Sequence, residues 1–252
     1  MQLVSPSWEE FCRLARPGCR IPVWKEIIAD TETPISLVRK FAGIGKSRFF
    51  LLESAEGGER TGRYSFAGVE PELLFVLKGG KASVIFLKPE AAGRYGLEGA
   101  GEGEGGKGGR GAEGRAGAAG CFSAAGCGSA DNEEAVSFLR RLLNCCQTAT
   151  PYGCPRFCGG AVGYFGYDFV RCLEKIPPFA AESFLPDVYL MFFERIYIFD
   201  HLKRTITLLA NAVITEEDWA AGKRALQRVY ARAAEEIAEM EALLFLPLPQ
   251  EA

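Results

Sequence analysis

A chain of 252 residues, 48% hydrophobic and 24% charged, has ordinary globular composition, enough for one large domain or two small ones with a sizeable core. Its 29 basic and 32 acidic side chains leave a net charge of −3 with no concentrated basic patch, which argues against a nucleic-acid partner. A single histidine and nine cysteines without C-x-x-C spacing exclude the usual Cys/His zinc sets, leaving only an all-thiolate site.

The N-terminal MQLVSPSWEEF lacks the basic and apolar regions of a secretory leader, and no apolar run reaches bilayer length. The expectation is a cytoplasmic protein with no membrane partner, its thiols reduced and behaving as small hydrophobes. The close cysteine pairs are Cys121 with Cys127, Cys145 with Cys146, and Cys154 with Cys158. Ser-His-Asp or Cys-His catalysis would need His201, which falls in an expected hairpin turn, so hydrolase mechanisms are set aside.

Taken in chain order, Ser7 to Glu10 spells a capping box that opens a short helix through about Leu14, ended by Pro17-Gly18. Pro22 to Ala29 reads as a strand with Val23, Lys25 and Ile27 on one side and Trp24, Glu26 and Ile28 on the other. Thr33-Pro34 supplies an N-cap with proline at the first helical position, and Gly43 stops that helix after Phe41. Gly45-Lys46-Ser47 imitates the tail of a phosphate-binding loop. The glycine required five residues earlier is Lys40, and a strand rather than a helix comes next, so nucleotide binding is rejected.

Ser47 to Gly68 is the stretch with most chemistry. The apolar run Phe49 to Leu52 stops at Glu53-Ser54, Glu56-Gly57-Gly58-Glu59 breaks the backbone, and Arg60 and Arg63 precede a second strand at Tyr64-Ser65-Phe66. Two readings stand side by side. The rim of a buried sheet here could hold a zwitterion, with guanidinium groups taking a carboxylate and Glu53 taking an ammonium. Alternatively, Glu53 and Arg63 pair across a hairpin as a solvated ion pair.

Leu73 to Leu77 and Ala82 to Leu87 form a hairpin around Lys78-Gly79-Gly80-Lys81. From Gly93 to Ala130 the chain has 15 of its 30 glycines and almost no large apolar residue, the mark of a disordered insertion. Asp131-Asn132 then cap a helix with Val136, Leu139, Leu142 and Leu143 on one face. Phe157 to Asp168 alternates small residues with Tyr and Phe, as in a strand closely approached by another element; it either lines a pocket or packs tightly. Its Gly160, Gly163 and Gly166 have G-x-x-G-x-x-G spacing, so the dinucleotide fingerprint fails. Pro186 to Phe199 and Thr205 to Ala212 read as two long strands joined at Asp200-His201-Leu202-Lys203. Thr215 to Asp218 caps a long helix whose apolar seam runs Trp219, Leu226, Tyr230, Ala233, Ile237, Met240 and Leu244, suited to packing on its own sheet. The domain reading is residues 1–92 and 131–245 as parts of one α+β domain, antiparallel sheets with helices outside. It is split by the 93–130 insertion and succeeded by 246–252 as the start of an interdomain linker.

Three segments carry a family resemblance. Leu51-Leu52-Glu53-Ser54, Gly62 to Gly68 (GRYSFAG) and Gly159 to Asp168 (GGAVGYFGYD), with Pro186 to Phe193, resemble the N-terminal region of anthranilate synthase component I, over nearly the whole chain. The equivalent region of aminodeoxychorismate synthase component I shares the fold and is the nearest alternative, and a stand-alone amino-acid-binding domain is another. In the family, the complete enzyme converts chorismate to anthranilate with Mg2+ and with ammonia from a glutamine amidotransferase subunit, component II. The resemblance implies that the chorismate and Mg2+ residues belong to a C-terminal chorismate-binding domain beyond about Pro249. No catalytic or metal residue is therefore assigned here, and the chain alone is not expected to be active. What the N-terminal region supplies in the family is one wall of the L-tryptophan feedback site. Carried over by position, Ser54 is the residue implied to contact the inhibitor, with Leu52 and Glu53 beside it. Arg63 is added on charge and position alone.

Overall fold

The computed structural model describes residues 4–29, 31–53, 62–95, 97, 121–123, 132–145, 148–174, 176 and 184–249, with 121–123 and 132–134 by backbone only. Among these, ten strands make two five-stranded sheets, and every neighbouring pair with a recorded register is antiparallel. Helices cover them, so the α+β expectation is met. Contacts divide the chain into two compact units. The first is Met1–Pro71, Cys146–Gly160 and Phe193–Ala252; the second is Glu72–Cys145 and Ala161–Phe192.

The first unit holds β1 (Arg20–Ile28), β2 (Phe49–Leu52), β3 (Tyr64–Val69), β9 (Arg195–Asp200) and β10 (Thr205–Val213), in the order β1-β10-β9-β3-β2. Period-two alternation divides its side chains between two faces. Val23, Ala67, Val69, Tyr197, Phe199, Ile206 and Leu208 share one cluster with helical residues, while Ile196, Ile198 and Leu209 join Trp24, Phe66 and Phe157 in another. Helix α1 (Trp8–Leu14) starts where expected, the Ser7 hydroxyl accepting from the Glu10 amide. In α2 (Pro34–Gly43), Thr33 and Ser36 cap reciprocally and Pro34 opens the first turn.

The long C-terminal helix differs from its sequence reading. Thr215 and Asp218 form a capping box for α5 (Glu216–Ala220), and Gly222, at φ +79°, turns the chain before α6 (Lys223–Leu244) begins. Trp219 thus belongs to a separate helix and is 41% exposed. The rest of the seam holds: Leu226, Ala233, Ile237, Met240 and Leu244 are buried against the sheet, each large aliphatic contributing about 1.5–3 kcal/mol.

A second difference lies at Glu194. The single strand expected from 186 to 199 is two strands in different sheets, β8 (Val188–Phe193) and β9. Alternation alone does not reveal this, because both pieces keep an apolar pattern. The break is made by a charge: Glu194 accepts from Arg20 Nε at 2.9 Å, with 2% of either side chain exposed.

The second unit contains β4 (Leu73–Lys78), β5 (Lys81–Phe86), β6 (Cys121–Ser123), β7 (Gly160–Phe165) and β8, in the order β6-β5-β4-β8-β7. Gly79 and Gly80 take positive φ at the β4–β5 turn, as the sequence requires. Helix α4 (Asn132–Asn144) buries Ala135, Phe138, Leu139 and Leu142, whereas Leu143, expected on that face, is 42% exposed. The glycine-rich stretch does not begin as an independent insertion. Ala91–Arg94 is a short helix, α3; Arg94 joins Lys88 on the buried Glu72 carboxylate, and Tyr95 packs edge-on against Phe192. Cys121–Ser123 pairs with β5. Most of the 93–130 reading otherwise lies outside the described residues.

Tight packing accounts for Gly163 in β7 and Gly166 just beyond it, whereas Gly160 takes φ +113° with open space around it. A Cβ at Gly163 would lie 1.9 Å from the Tyr189 carbonyl oxygen, and one at Gly166 3.2 Å from that of Asp187. Beyond β7 a 3₁₀ helix, Tyr167–Cys172, replaces the end of the expected strand.

This packing makes two variants informative. Glu194→Ala deprives Arg20 of this carboxylate, and the midpoint of urea unfolding should fall by an amount equivalent to about 3–5 kcal/mol. Gly163→Ala forces backbone displacement at Tyr189 and should cost about 1–3 kcal/mol or more, read in the same experiment.

Candidate functional site

Of the candidate residues, Leu52, Glu53 and Arg63 are described, and they lie at the end of β2 and the start of β3 in the first sheet. Strand β2 is an edge strand paired only to β3 among the described residues, with Leu52 opposite Phe66. Its apolar run is half inward: Phe50 is buried, stacking edge-on with Phe193, while Leu52 is 48% exposed. Glu53 comes next, exposed, as the last described residue before Gly62. Ser54 and Arg60 lie outside the described residues.

Arg63 enters β3 beside the turn of the β9–β10 hairpin, because Tyr64 is in register with Asp200. Its guanidinium grips both carboxylate oxygens of Asp200: Nε lies 3.1 and 3.2 Å from the two, and Nη2 is 2.7 Å from Oδ2. It also lies 4.9 Å from the Tyr64 ring centroid. Arg63 is therefore committed to Asp200, not to Glu53, and the expected hairpin pair is replaced by a longer-range one. A fork on a carboxylate is the geometry guanidinium favours.

Asp200 was not singled out by sequence reasoning, although its position at the start of Asp-His-Leu-Lys was a signal. Aspartate favours such positions by accepting amides two and three residues on. Its Oδ1 takes the N–H groups of Leu202 and Lys203, both at 3.1 Å. Burial works to raise the Asp200 pKa, but hydrogen bonds from Arg63 and the two amides outweigh it and hold the carboxyl below its usual range. Ser65 Oγ and His201 Nε2 are 2.7 Å apart, and the His201 amide donates to the Arg63 carbonyl. Ser65 has no exposed surface, so its hydroxyl is not offered to a substrate. The Ser-His contact braces the turn.

The first unit also has a cavity of about 340 Å³ elsewhere, lined by Lys46, Glu70, Arg195, Tyr197, Met240 and Leu246 among others. Its charges are mutually satisfied: Lys46 pairs with Glu70, and Arg195 bridges Glu70 at 3.1 Å and Glu239 at 3.5 Å. None of Leu52, Glu53 or Arg63 lines it. Among the described residues, no group of three or more His, Cys, Asp or Glu could hold a metal ion, and no helix is long and apolar enough to cross a membrane.

Fold and site together define an α+β protein with two antiparallel sheets, one of whose edges ends in an exposed, polar-tipped strand. Over most of its length the chain is homologous to the N-terminal part of anthranilate synthase component 1. It is 34% identical over 220 residues to anthranilate synthase component 1 of Mycolicibacterium smegmatis, covering 85% of this chain and 35% of that protein. Identity to the Mycobacterium tuberculosis H37Rv protein of the same name is 32% over 244 residues, 96% of this chain and 40% of the relative. The chain thus spans roughly two-fifths or less of these relatives' length. The crystal structure of anthranilate synthase component I from Streptococcus pneumoniae TIGR4 aligns over 88% of this chain and 37% of its own, at 18% identity and a TM-score of 0.42. No family model matches the chain.

The Arg63–Asp200 clamp generates a pH signature. A carboxyl whose folded pKa is depressed contributes stability that is present above its unfolded value, about 3.9, and lost as pH falls through the lower folded value. Asp200→Asn should lower the melting temperature at neutral pH. The difference from wild type should shrink on acidification below about pH 4, monitored by circular dichroism.

Proposed function

We propose that the chain is the regulatory N-terminal portion of an anthranilate synthase component I and contributes one wall of a feedback site for L-tryptophan. The observation that carries the proposal is the 34% identity over 85% of the chain to a curated protein of that name. Leu52 and Glu53 support it by their position at the end of an edge strand, accessible rather than sealed in a core.

Leu52 supplies apolar surface for an indole ring, Glu53 a carboxylate for the ammonium, and Ser54 a hydroxyl for direct contact with the inhibitor. Arg63 has the smallest part, since Asp200 occupies its Nε and Nη2 and leaves the Nη1 edge for a ligand carboxylate. The opposing wall belongs to a C-terminal chorismate-binding region, which holds the Mg2+ and the reactive centre. Component II, the glutamine amidotransferase, is the further partner and supplies ammonia. Exposed aromatics on β7, Tyr164 and Phe165, with Tyr167 just beyond, agree with a chain that buries more surface in an assembly. Tryptophan then acts by favouring one arrangement of the two regions over the chorismate-competent one. The shift is bounded by its differential affinity for the two.

The test joins this chain to the C-terminal region of a homologous component 1. Tryptophan should bind the combination and inhibit anthranilate formation, and Ser54→Phe should raise the inhibitory concentration about tenfold or more, a change of ~1.4 kcal/mol, with uninhibited turnover retained. Unchanged sensitivity of Ser54→Phe removes the site assignment. Tight calorimetric binding of tryptophan to this chain alone would instead favour a stand-alone amino-acid sensor.

A further inference from the structure

The face of the first sheet that carries Trp24, Phe66, Ile196, Ile198 and Leu209 is covered by the loop Cys154-Pro155-Arg156-Phe157-Cys158. Phe157 anchors this loop, its ring 5.2 Å from that of Phe66 and perpendicular to it, and the Cys158 carbonyl accepts from Asn211 Nδ2 at 2.6 Å. These contacts hold the C-terminal end of the loop, the Cys154 amide donates to the Pro151 carbonyl at 3.2 Å at its start, and two thiols are brought together: Cys154 Sγ and Cys158 Sγ are 3.1 Å apart. Both cysteines are half-buried, while Arg156 between them in sequence is exposed.

We infer that Cys154 and Cys158 are a thiol–disulfide exchange site that closes to an intramolecular disulfide with a small disulfide oxidant of the glutathione type. Cys158 is the attacking sulfur. In the neutral pair its S–H faces the Pro155 carbonyl at 2.6 Å. Once that proton is lost, the Cys154 S–H is the donor at hand. That hydrogen bond favours the Cys158 thiolate and lowers its pKa against the opposing effect of burial, while the Cys154 thiol is pushed up.

The exchange balances in two steps. Cys158 S⁻ forms a bond to one sulfur of the oxidant, the oxidant's S–S bond breaks, and one small thiolate leaves. Cys154, already in van der Waals contact with Cys158 Sγ, then attacks that sulfur as its own proton departs, expelling the second small thiolate. Both thiolates leave with the protons the protein gives up. The two protein thiols are oxidised to one disulfide and the oxidant is reduced to two thiols. Proximity favours the second step over accumulation of the mixed disulfide, because the resolving sulfur needs no loop closure. The closed ring would sit over Phe66, the register partner of Leu52.

The inference is independent of the proposed regulatory role and is tested on the whole 252-residue chain. The chain is equilibrated with mixtures of reduced and oxidised glutathione, quenched by alkylation and mapped by mass spectrometry. Expected is the loss of two of the nine thiols, with a Cys154–Cys158 linkage that dithiothreitol reverses. Cys154→Ser should instead retain a glutathione adduct on Cys158, because the resolving thiol is gone, and Cys158→Ser should form neither species at this loop. Retention of all nine thiols across the buffer series overturns the inference, as does a disulfide drawn from Cys145 or Cys146 with Cys154 and Cys158 still alkylated.

Discussion

The buried pair between Arg20 and Glu194 is the constraint around which the first unit is arranged. Two opposite charges, each side chain 2% exposed, are stable in a low-dielectric interior only when they face one another. Arg20 is the first residue of β1, and its carbonyl also accepts the Ala149 amide. Glu194 stands between β8 and β9, and its carbonyl accepts the Asn211 amide from the β10 side. Residues distant in the chain must meet at this point before either charge can leave water. The place where the chain passes from one sheet to the other is therefore marked by a carboxylate rather than by a turn residue.

A second ion pair shapes the candidate site differently. Arg63 is partly open to solvent while Asp200 is buried, so their Coulomb attraction is screened from one side, and much of what they contribute is direction. The bidentate grip fixes the start of β3 against the hairpin turn, where Asp200 also collects two turn amides. Once this cation is engaged, Glu53 is the charged candidate left at the end of β2 among the described residues. The described end of β2 presents exposed groups, Leu52 and Glu53, on a paired strand.

Close approach of neighbouring atoms explains two of the glycines, Gly159 and Gly163. At Gly163 no side chain fits beneath the Tyr189 carbonyl, and at Gly159 a Cβ would come within 2.5 Å of Asn211 Nδ2. Gly159 takes φ +135°, which an L side chain rarely adopts, and it lets the loop that ends at Cys158 enter β7 directly. Phe157 on Phe66 and Asn211 on the Cys158 carbonyl seat the adjoining loop in which Cys154 meets Cys158.

Local rules carried much of the secondary structure. The caps at Ser7, Thr33 and Thr215 and the Gly79-Gly80 hairpin are satisfied by groups within a few residues of one another, and such chemistry is legible in a linear string; the seam from Leu226 to Leu244 is legible as a spacing, although the sheet that covers it is distant in sequence. The family resemblance was legible too, in Leu51 to Ser54 and Gly62 to Gly68. What the string leaves open are choices made by distant partners. Whether Arg63 meets Glu53 or Asp200 depends on strand register across 137 residues. Whether 186–199 is one strand or two depends on a buried cation 174 residues away, and the approach of Cys154 to Cys158 depends on Phe157 finding Phe66. Periodicity records which face a residue occupies but not what waits on the other side of it; that information exists only once the chain has closed on itself.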